Sequence, residues 1–327
     1  MCAHSELPFE ASTFKRDEEA VFRSSRGMPR RTTMVADTEL QARFDEGPDE
    51  GPTVQVVAPR LAVHGLRLSR TRNRHGEQTM DRAVLPQLVQ APPAYGLPIS
   101  ESPVAAKMAA YLRLTKTPHT TIWECTYKSS TGFVPFIRWP DGRIQRESNA
   151  FIALLEKDAG LDRNLDPEAL ESGRSLASLV ERTCFDACLH DRFTLRDGWL
   201  HQKAVTAKAM ARYLPSIAIP FVLFCVRRTQ SRRAAQQTMA IPEAGHIASS
   251  ALIQATSSRL VGQSFLCGNR PSTVDCAIWP YLLHIAITPN ATPPRDAVRS
   301  DTRLVEWIER VADFTGFEIG VKWKGAA

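Results

Sequence analysis

The chain has no Cys-x-x-Cys pair. Its seven cysteines, Cys2, Cys125, Cys184, Cys188, Cys225, Cys267 and Cys276, are odd in number and scattered. That excludes a disulfide framework or a zinc site read from spacing, and fits reduced thiols in a cytoplasmic setting. Cys184 and Cys188 stand at i, i+4 on one helical face, where small buried hydrophobes are expected. No apolar run approaches the ~20 residues that span a bilayer. The longest, Ile217–Val226, is about half that length and is broken by Pro220, so it reads as a buried helix start. No secretory leader is visible: residues 1–30 mix acids with bases and lack an apolar centre. The chain ends Val321-Lys-Trp-Lys-Gly-Ala-Ala without an apolar tail, so no integral membrane segment is expected. The net charge is +6, yet no basic stripe with interleaved aromatics appears, which disfavours nucleic acid as a partner. No internal repeat is visible.

What is present divides the chain into three. Residues 1–82 are rich in charge, with 13 Lys+Arg against 13 Asp+Glu, and short of apolar runs. Such a segment buries too little apolar surface to offset its ordering entropy. It is expected to be a largely disordered extension, with one or two short strands within Val54–Leu68. From Leu85 the pattern sharpens. Leu85–Val89 reads as a strand. Ser102-Pro103 reads as a helix cap followed by proline at the first helical position. Val104, Met108, Tyr111 and Leu112 then mark an amphipathic helix closed by Pro118. Thr120–Tyr127 and Val134–Trp139 read as strands, Asp141-Gly142 as a two-residue hairpin turn, and Arg143–Gln145 as the return strand. A helix follows, with Phe151, Leu154 and Leu155 on one face and Gly160 past its end. Within residues 83–160 the order is β-α-β-β-β-α, a thioredoxin-like arrangement.

Residues 165–320 read as helices only. The candidates are Pro167–Arg192, Asp197–Leu214, Phe221–Met239, Glu243–Val261, Val274–Ile287 and Leu304–Phe314. Ser272-Thr-Val-Asp275 supplies a capping box for the fifth, which is apolar nearly all round and therefore belongs inside a bundle. The fold class is thus α/β followed by all-α.

Val134-Pro135, Glu147-Ser148 and Ser272-x-x-Asp275, in that order, resemble the Val-Pro, acid-serine and capping-box motifs of the glutathione transferase superfamily. Leu97-Pro-Ile-Ser-Glu-Ser-Pro103, Tyr111-Leu-Arg113, Val134-Pro-Phe-Ile137 and Phe265-Leu-Cys-Gly-Asn-Arg-Pro271 are similar to its failed-axon-connections branch, which sits beside the metaxins. The resemblance covers about residues 85–315. It implies a thioredoxin-like glutathione-binding domain followed by the superfamily's helical C-terminal domain. Glutathione would be the co-substrate, a small electrophile the second substrate, and a homodimer is allowed.

The resemblance also implies a site. A cis Val134-Pro135 would turn the backbone of Val134 outward to pair with the cysteinyl part of glutathione. Ser148, at a helix N-terminus where free amides favour an anion, would hold the γ-glutamyl carboxylate, and Glu147 its ammonium. Glu147 and Ser148 also suit an ordinary helix start, and a cis proline also shapes the fold in relatives that bind nothing. Ser102, just before Pro103, stands where some branches keep the residue that stabilises the glutathione thiolate. The following aromatic is replaced by Val104, and Ser102 also serves as a plain cap. Tyr95 and Ser100 are alternative donors. With no cysteine between Cys2 and Cys125, glutaredoxin-like chemistry is disfavoured. Trp199 and Tyr213 are candidate liners of the electrophile pocket. The competing reading is a non-catalytic interaction scaffold of the metaxin or failed-axon-connections type.

Overall fold

In the computed structural model the described residues are 54–57, 85–93, 95–124, 134–211, 213–236, 238–321 and 323. They belong to one unit, Pro52–Ala327. The expected extension lies outside them except for one short strand, β1 (Val54–Val57). It joins β2 (Gln87–Gln90), β3 (His119–Trp123), β4 (Phe136–Arg138) and β5 (Ile144–Gln145) in a sheet of order β1-β3-β2-β4-β5. β2 and β3 are parallel, and the helix α1 (Pro103–Leu114) connects them. The β1–β3, β2–β4 and β4–β5 pairs are antiparallel. After β5 comes α2 (Ser148–Ala159), closed by Gly160 at φ 61°, a left-handed conformation that glycine adopts without steric cost. The thioredoxin-like order is therefore present.

Two local details differ from the sequence reading. The hairpin between β4 and β5 has three loop residues, because Ile137 pairs with Gln145 and the Trp139 amide donates to Arg143. Pro140 joins the loop, having no N–H to give the ladder, and Gly142 takes the positive φ of 84° that closes it. At the end of α1 the Thr115 hydroxyl donates to the Tyr111 carbonyl and Lys116 turns left-handed. The helix therefore stops before Pro118 is reached.

The helical half contains α3 (Pro167–Phe193), α4 (Arg196–Met210), α5 (Ile219–Ala235), α6 (Pro242–Arg259), α7 (Thr273–Ala286), α8 (Pro293–Ser300) and α9 (Thr302–Thr315), with one 3₁₀ turn at Thr238–Ala240. α8 was not expected. Its apolar content is small, and only Pro294 and Val298 are buried. The start of α5 is also corrected. Ile217, Phe221 and Phe224 are 89%, 70% and 60% exposed, not buried. The helix rests on the end of α3 along a narrow stripe: Leu223 is buried, and Arg227 and Ser231 both donate to the Phe193 carbonyl. Ala234 is buried and Val226 packs on the same contact, while Phe221 and Phe224 are left outside.

α7 is the axis of this half. Its residues from Val274 to Ala286 are all buried, and it packs on α1, α3, α8 and α9. Asp275 explains how it is held. Its carboxylate accepts from the Ser272 amide (2.9 Å) and hydroxyl (2.6 Å), the Leu266 amide (3.0 Å) and the Trp307 indole (2.8 Å). One side chain thus fixes the cap of α7, the loop before it and α9. Cys184 and Cys188 are buried along α3, and burial pushes both thiols up, Cys188 to about 12. Among the described residues no helix is long and apolar enough to cross a membrane.

Replacing Asp275 by alanine would strand three buried donors beside the Ser272 hydroxyl. Each such orphan costs about 1–3 kcal/mol. We expect Asp275→Ala to lower the unfolding free energy by more than ~3 kcal/mol, measured by chemical denaturation. A loss below 1 kcal/mol, by the same reasoning about buried orphans, would refute this role.

Candidate functional site between the two halves

The N-terminal half meets the helical half along α1. Asp162, in the link after α2, accepts from the amide (2.8 Å) and hydroxyl (2.6 Å) of Thr273 and from Arg174 (2.9 Å), tying that link to α7 and α3. Tyr111 of α1 donates to Glu156 of α2 at 2.8 Å. Near the start of α1, Lys107 is buried and its ammonium bonds both Glu181 of α3 and Asn149 of α2. A lone charge in the apolar run Pro-Val-Ala-Ala-Lys-Met-Ala-Ala-Tyr was the available signal for this bridge. It was not read from the sequence.

Two hollows flank this ion pair, and both are lined by Ser178 and Glu181. One, of about 620 Å³, is lined by Ser102, Val104, Val134, Pro135, Phe185 and Tyr281, with Arg146, Arg182 and Arg233 also contributing. The other, of about 630 Å³, runs from Lys107 and Asn149 toward Asp162 and Thr273. The first gathers Ser102 and the Val134-Pro135 pair, which are far apart in sequence. The Val134–Pro135 bond is cis, Pro135 is buried and Val134 half-buried.

Glu147 and Ser148 stand at the opening of α2, beside the cleft residue Arg146. Glu147 is the N-cap. Its carboxylate accepts from the Asn149 amide at 3.0 Å and from the Ala150 amide. The amides expected to be free are therefore taken by the chain's own acid. Ser148 is buried, and its hydroxyl makes no hydrogen bond among the described residues. A carboxylate has about four lone-pair sites, so Glu147 keeps acceptor capacity beyond its two capping bonds.

Ser102 is the N-cap of α1, and its hydroxyl oxygen accepts from the Ala105 amide at 3.5 Å. Capping uses a lone pair and leaves the O–H available to donate. The preceding residue is anchored: Gln202 donates to the Glu101 carboxylate (2.8 Å) and Arg192 to the Glu101 carbonyl (2.6 Å). Arg192 also reaches His284 Nδ1 at 2.5 Å. Burial, then the charge of Arg192, holds the His284 imidazole well below its ordinary pKa, so it is a neutral acceptor. The alternative donors lie elsewhere. Ser100 donates to the Ala91 carbonyl and Tyr95 to Gln202. Trp199 packs on Phe193 and under Arg227, and neither it nor Tyr213 lines the cleft.

A family model described as the glutathione S-transferase N-terminal domain matches residues 103–199, and one described as the C-terminal domain matches residues 250–311. The fold is that of the glutathione transferases. The two matches cover just under half of the chain and support its placement in the glutathione transferase superfamily. No curated protein matches the sequence. Solved structures similar to it include glutathione S-transferase III in its apo form, 14% identical over 73% of this chain and 98% of that one, with a TM-score of 0.44. Another is glutathione transferase F7 from Populus trichocarpa, 13% identical over 70% and 93%, with a TM-score of 0.45. A third, from Methylobacterium radiotolerans in complex with glutathione sulfonate, is 15% identical over 69% and 90%, with a TM-score of 0.42.

The ion pair beside the cleft makes a stability prediction. Breaking a buried pair from one side costs about 3–5 kcal/mol, whereas replacing both partners by apolar residues is often neutral. Lys107→Met should therefore destabilise strongly, and adding Glu181→Met should recover most of the loss. Denaturant titrations of the three variants check this. Additive losses would show that the two residues act independently.

Proposed function

We propose that the chain binds glutathione in the cleft lined by Ser102, Val134 and Pro135 and transfers its thiol to small electrophiles. The observation that carries this reading is the convergence of those three residues on one cleft, next to Ser148 at the start of α2, a buried serine whose hydroxyl has no partner among the described residues. The backbone of Val134 would pair with the cysteinyl part of glutathione. The Ser148 amide and hydroxyl would donate to the γ-glutamyl carboxylate, and the spare lone pairs of Glu147 would meet the ammonium. The Ser102 O–H would donate to the sulfur, lowering the thiol pKa so that the thiolate forms and its proton leaves to solvent. The thiolate then attacks the electrophilic carbon, and the carbon–sulfur bond forms as the leaving group departs. Phe185 and Tyr281 would provide the apolar wall for the electrophile. We assign the protein to the cytoplasm, as a homodimer, with no nucleic-acid partner and no resident metal in this reaction.

A second reading has its own support. Ile217, Phe221 and Phe224 form an exposed apolar group at the start of α5, the kind of surface that marks protein–protein contact. It favours the non-catalytic scaffold of the failed-axon-connections or metaxin-like branch, in which the cleft is a vestige.

Calorimetry of the full chain with glutathione separates the two. We expect measurable binding at millimolar glutathione. Ser148→Ala should weaken it by roughly 10- to 150-fold, as loss of a hydrogen bond to a charged group costs about 1.5–3 kcal/mol. No binding by the wild-type chain would leave the scaffold reading standing. Where binding is seen, Ser102→Ala should lower turnover of an aryl halide by ~100-fold or more, within the range expected for losing one stabilising donor, while leaving glutathione affinity nearly unchanged. An unchanged rate would reduce Ser102 to its capping role.

A further inference from the structure

Away from the cleft, the last turn of α3 meets the start of α6 at a polar cluster that the proposed reaction does not use. Asp191 is buried, and two imidazoles close on one oxygen of its carboxylate. His246 Nε2 lies 3.0 Å and His190 Nδ1 3.4 Å from Oδ1. The three ligand-capable atoms lie within 4.8 Å of one another. His190 is buried and His246 half-buried, and their rings meet edge to face at 5.5 Å.

The surroundings hold this group in place. Thr292 donates to the other carboxylate oxygen, Oδ2, at 3.2 Å, which leaves Oδ1 facing the imidazoles. The Asp191 carbonyl accepts from Asn290 at 2.7 Å, and Asn290 in turn accepts from the Gly198 amide at 3.0 Å. A Cβ at Gly198 would stand 1.8 Å from that carbonyl oxygen, so α4 approaches this turn as closely as a glycine allows. One helical turn beyond His246, the Ser250 hydroxyl oxygen is buried with no hydrogen-bond partner among the described residues. A protein needs such outer contacts to orient metal ligands.

We propose that His190, Asp191 and His246 form a binding site for a zinc-class divalent transition metal, with a water completing the coordination. Two imidazoles and a carboxylate are the donor set such ions prefer. Ligand atoms about 2.0–2.2 Å from a tetrahedral ion stand roughly 3.3–3.6 Å apart, close to the His190–Asp191 separation and slightly wider than that of His246 and Asp191. The ring nitrogens that now face the carboxylate would have to give up their protons, to the other ring nitrogen or to solvent, as the ion enters. The ion would staple the start of α6 to the end of α3, a structural role separate from the cleft. Sequence spacing alone does not reveal the site, because its third ligand lies some 55 residues after Asp191.

The full chain, stripped of metal by a chelator, can be titrated with Co²⁺. The expected result is visible d–d absorption that saturates at one equivalent, without a thiolate charge-transfer band. His246→Gln should weaken cobalt binding by ~tenfold or more, in line with the 10–100-fold effects seen when metal-site contacts are lost. Zn²⁺ should raise the melting temperature of the wild type but not of that variant. His190→Gln should behave alike, and the wild-type spectrum decides the matter if either variant fails to fold. Absent d–d bands, a thiolate band, or equal affinity in a folded His246→Gln would overturn the proposal and reduce the cluster to a hydrogen-bonded His–Asp–His group.

Discussion

One buried ammonium holds the cleft together. Lys107 reaches from α1 to Asn149 on α2 and Glu181 on α3, so three helices from both halves converge on a single charge. A charge taken out of water is tolerated only when it is paired and hydrogen-bonded. The relative placement of α1, α2 and α3 is therefore constrained at that point. Ser102 sits five residues before Lys107, and Ser148 one residue before Asn149. The same contact thus ties the start of α1, which lines the cleft, to the start of α2.

The helical half has a comparable anchor in Asp275, whose four donors come from the cap of α7, the loop before it and α9. Between these anchors runs Asp162, linking the end of α2 to the start of α7. The apolar core, which includes Leu88, Met108, Phe151, Trp279 and Trp307, is continuous across both halves. The polar contacts select how that core is arranged, since apolar burial is non-directional and does not by itself fix which helix faces which.

Much of the fold was legible because its signals are local. A cap followed by proline marked α1. A serine with an acid three residues on marked α7, and an apolar surround placed it in the bundle. What was misread depended on neighbours. Ile217–Val226 is apolar in composition, yet α3 offers α5 only a narrow surface, so Phe221 and Phe224 remain exposed. Asp141-Gly142 has the chemistry of a two-residue turn, but the Ile137–Gln145 register draws Pro140 into the loop. α8 is only eight residues long and polar on average, with Pro294 and Val298 alone buried, so it offers too few apolar positions to mark a helix in the sequence.

The candidate site divides along the same line. The sequence by itself determined which residues could serve: a proline after Val134, an acid-serine pair opening a helix, and a serine before Pro103. Each is a short-range pattern whose chemistry follows from its immediate neighbours. Only the tertiary structure decided that Ser102 and Val134-Pro135 share a cleft, and that the adjacent pair His190-Asp191 meets His246. Those facts depend on helices packing across long sequence separations, where the contacts are set by shape and burial that no local pattern encodes.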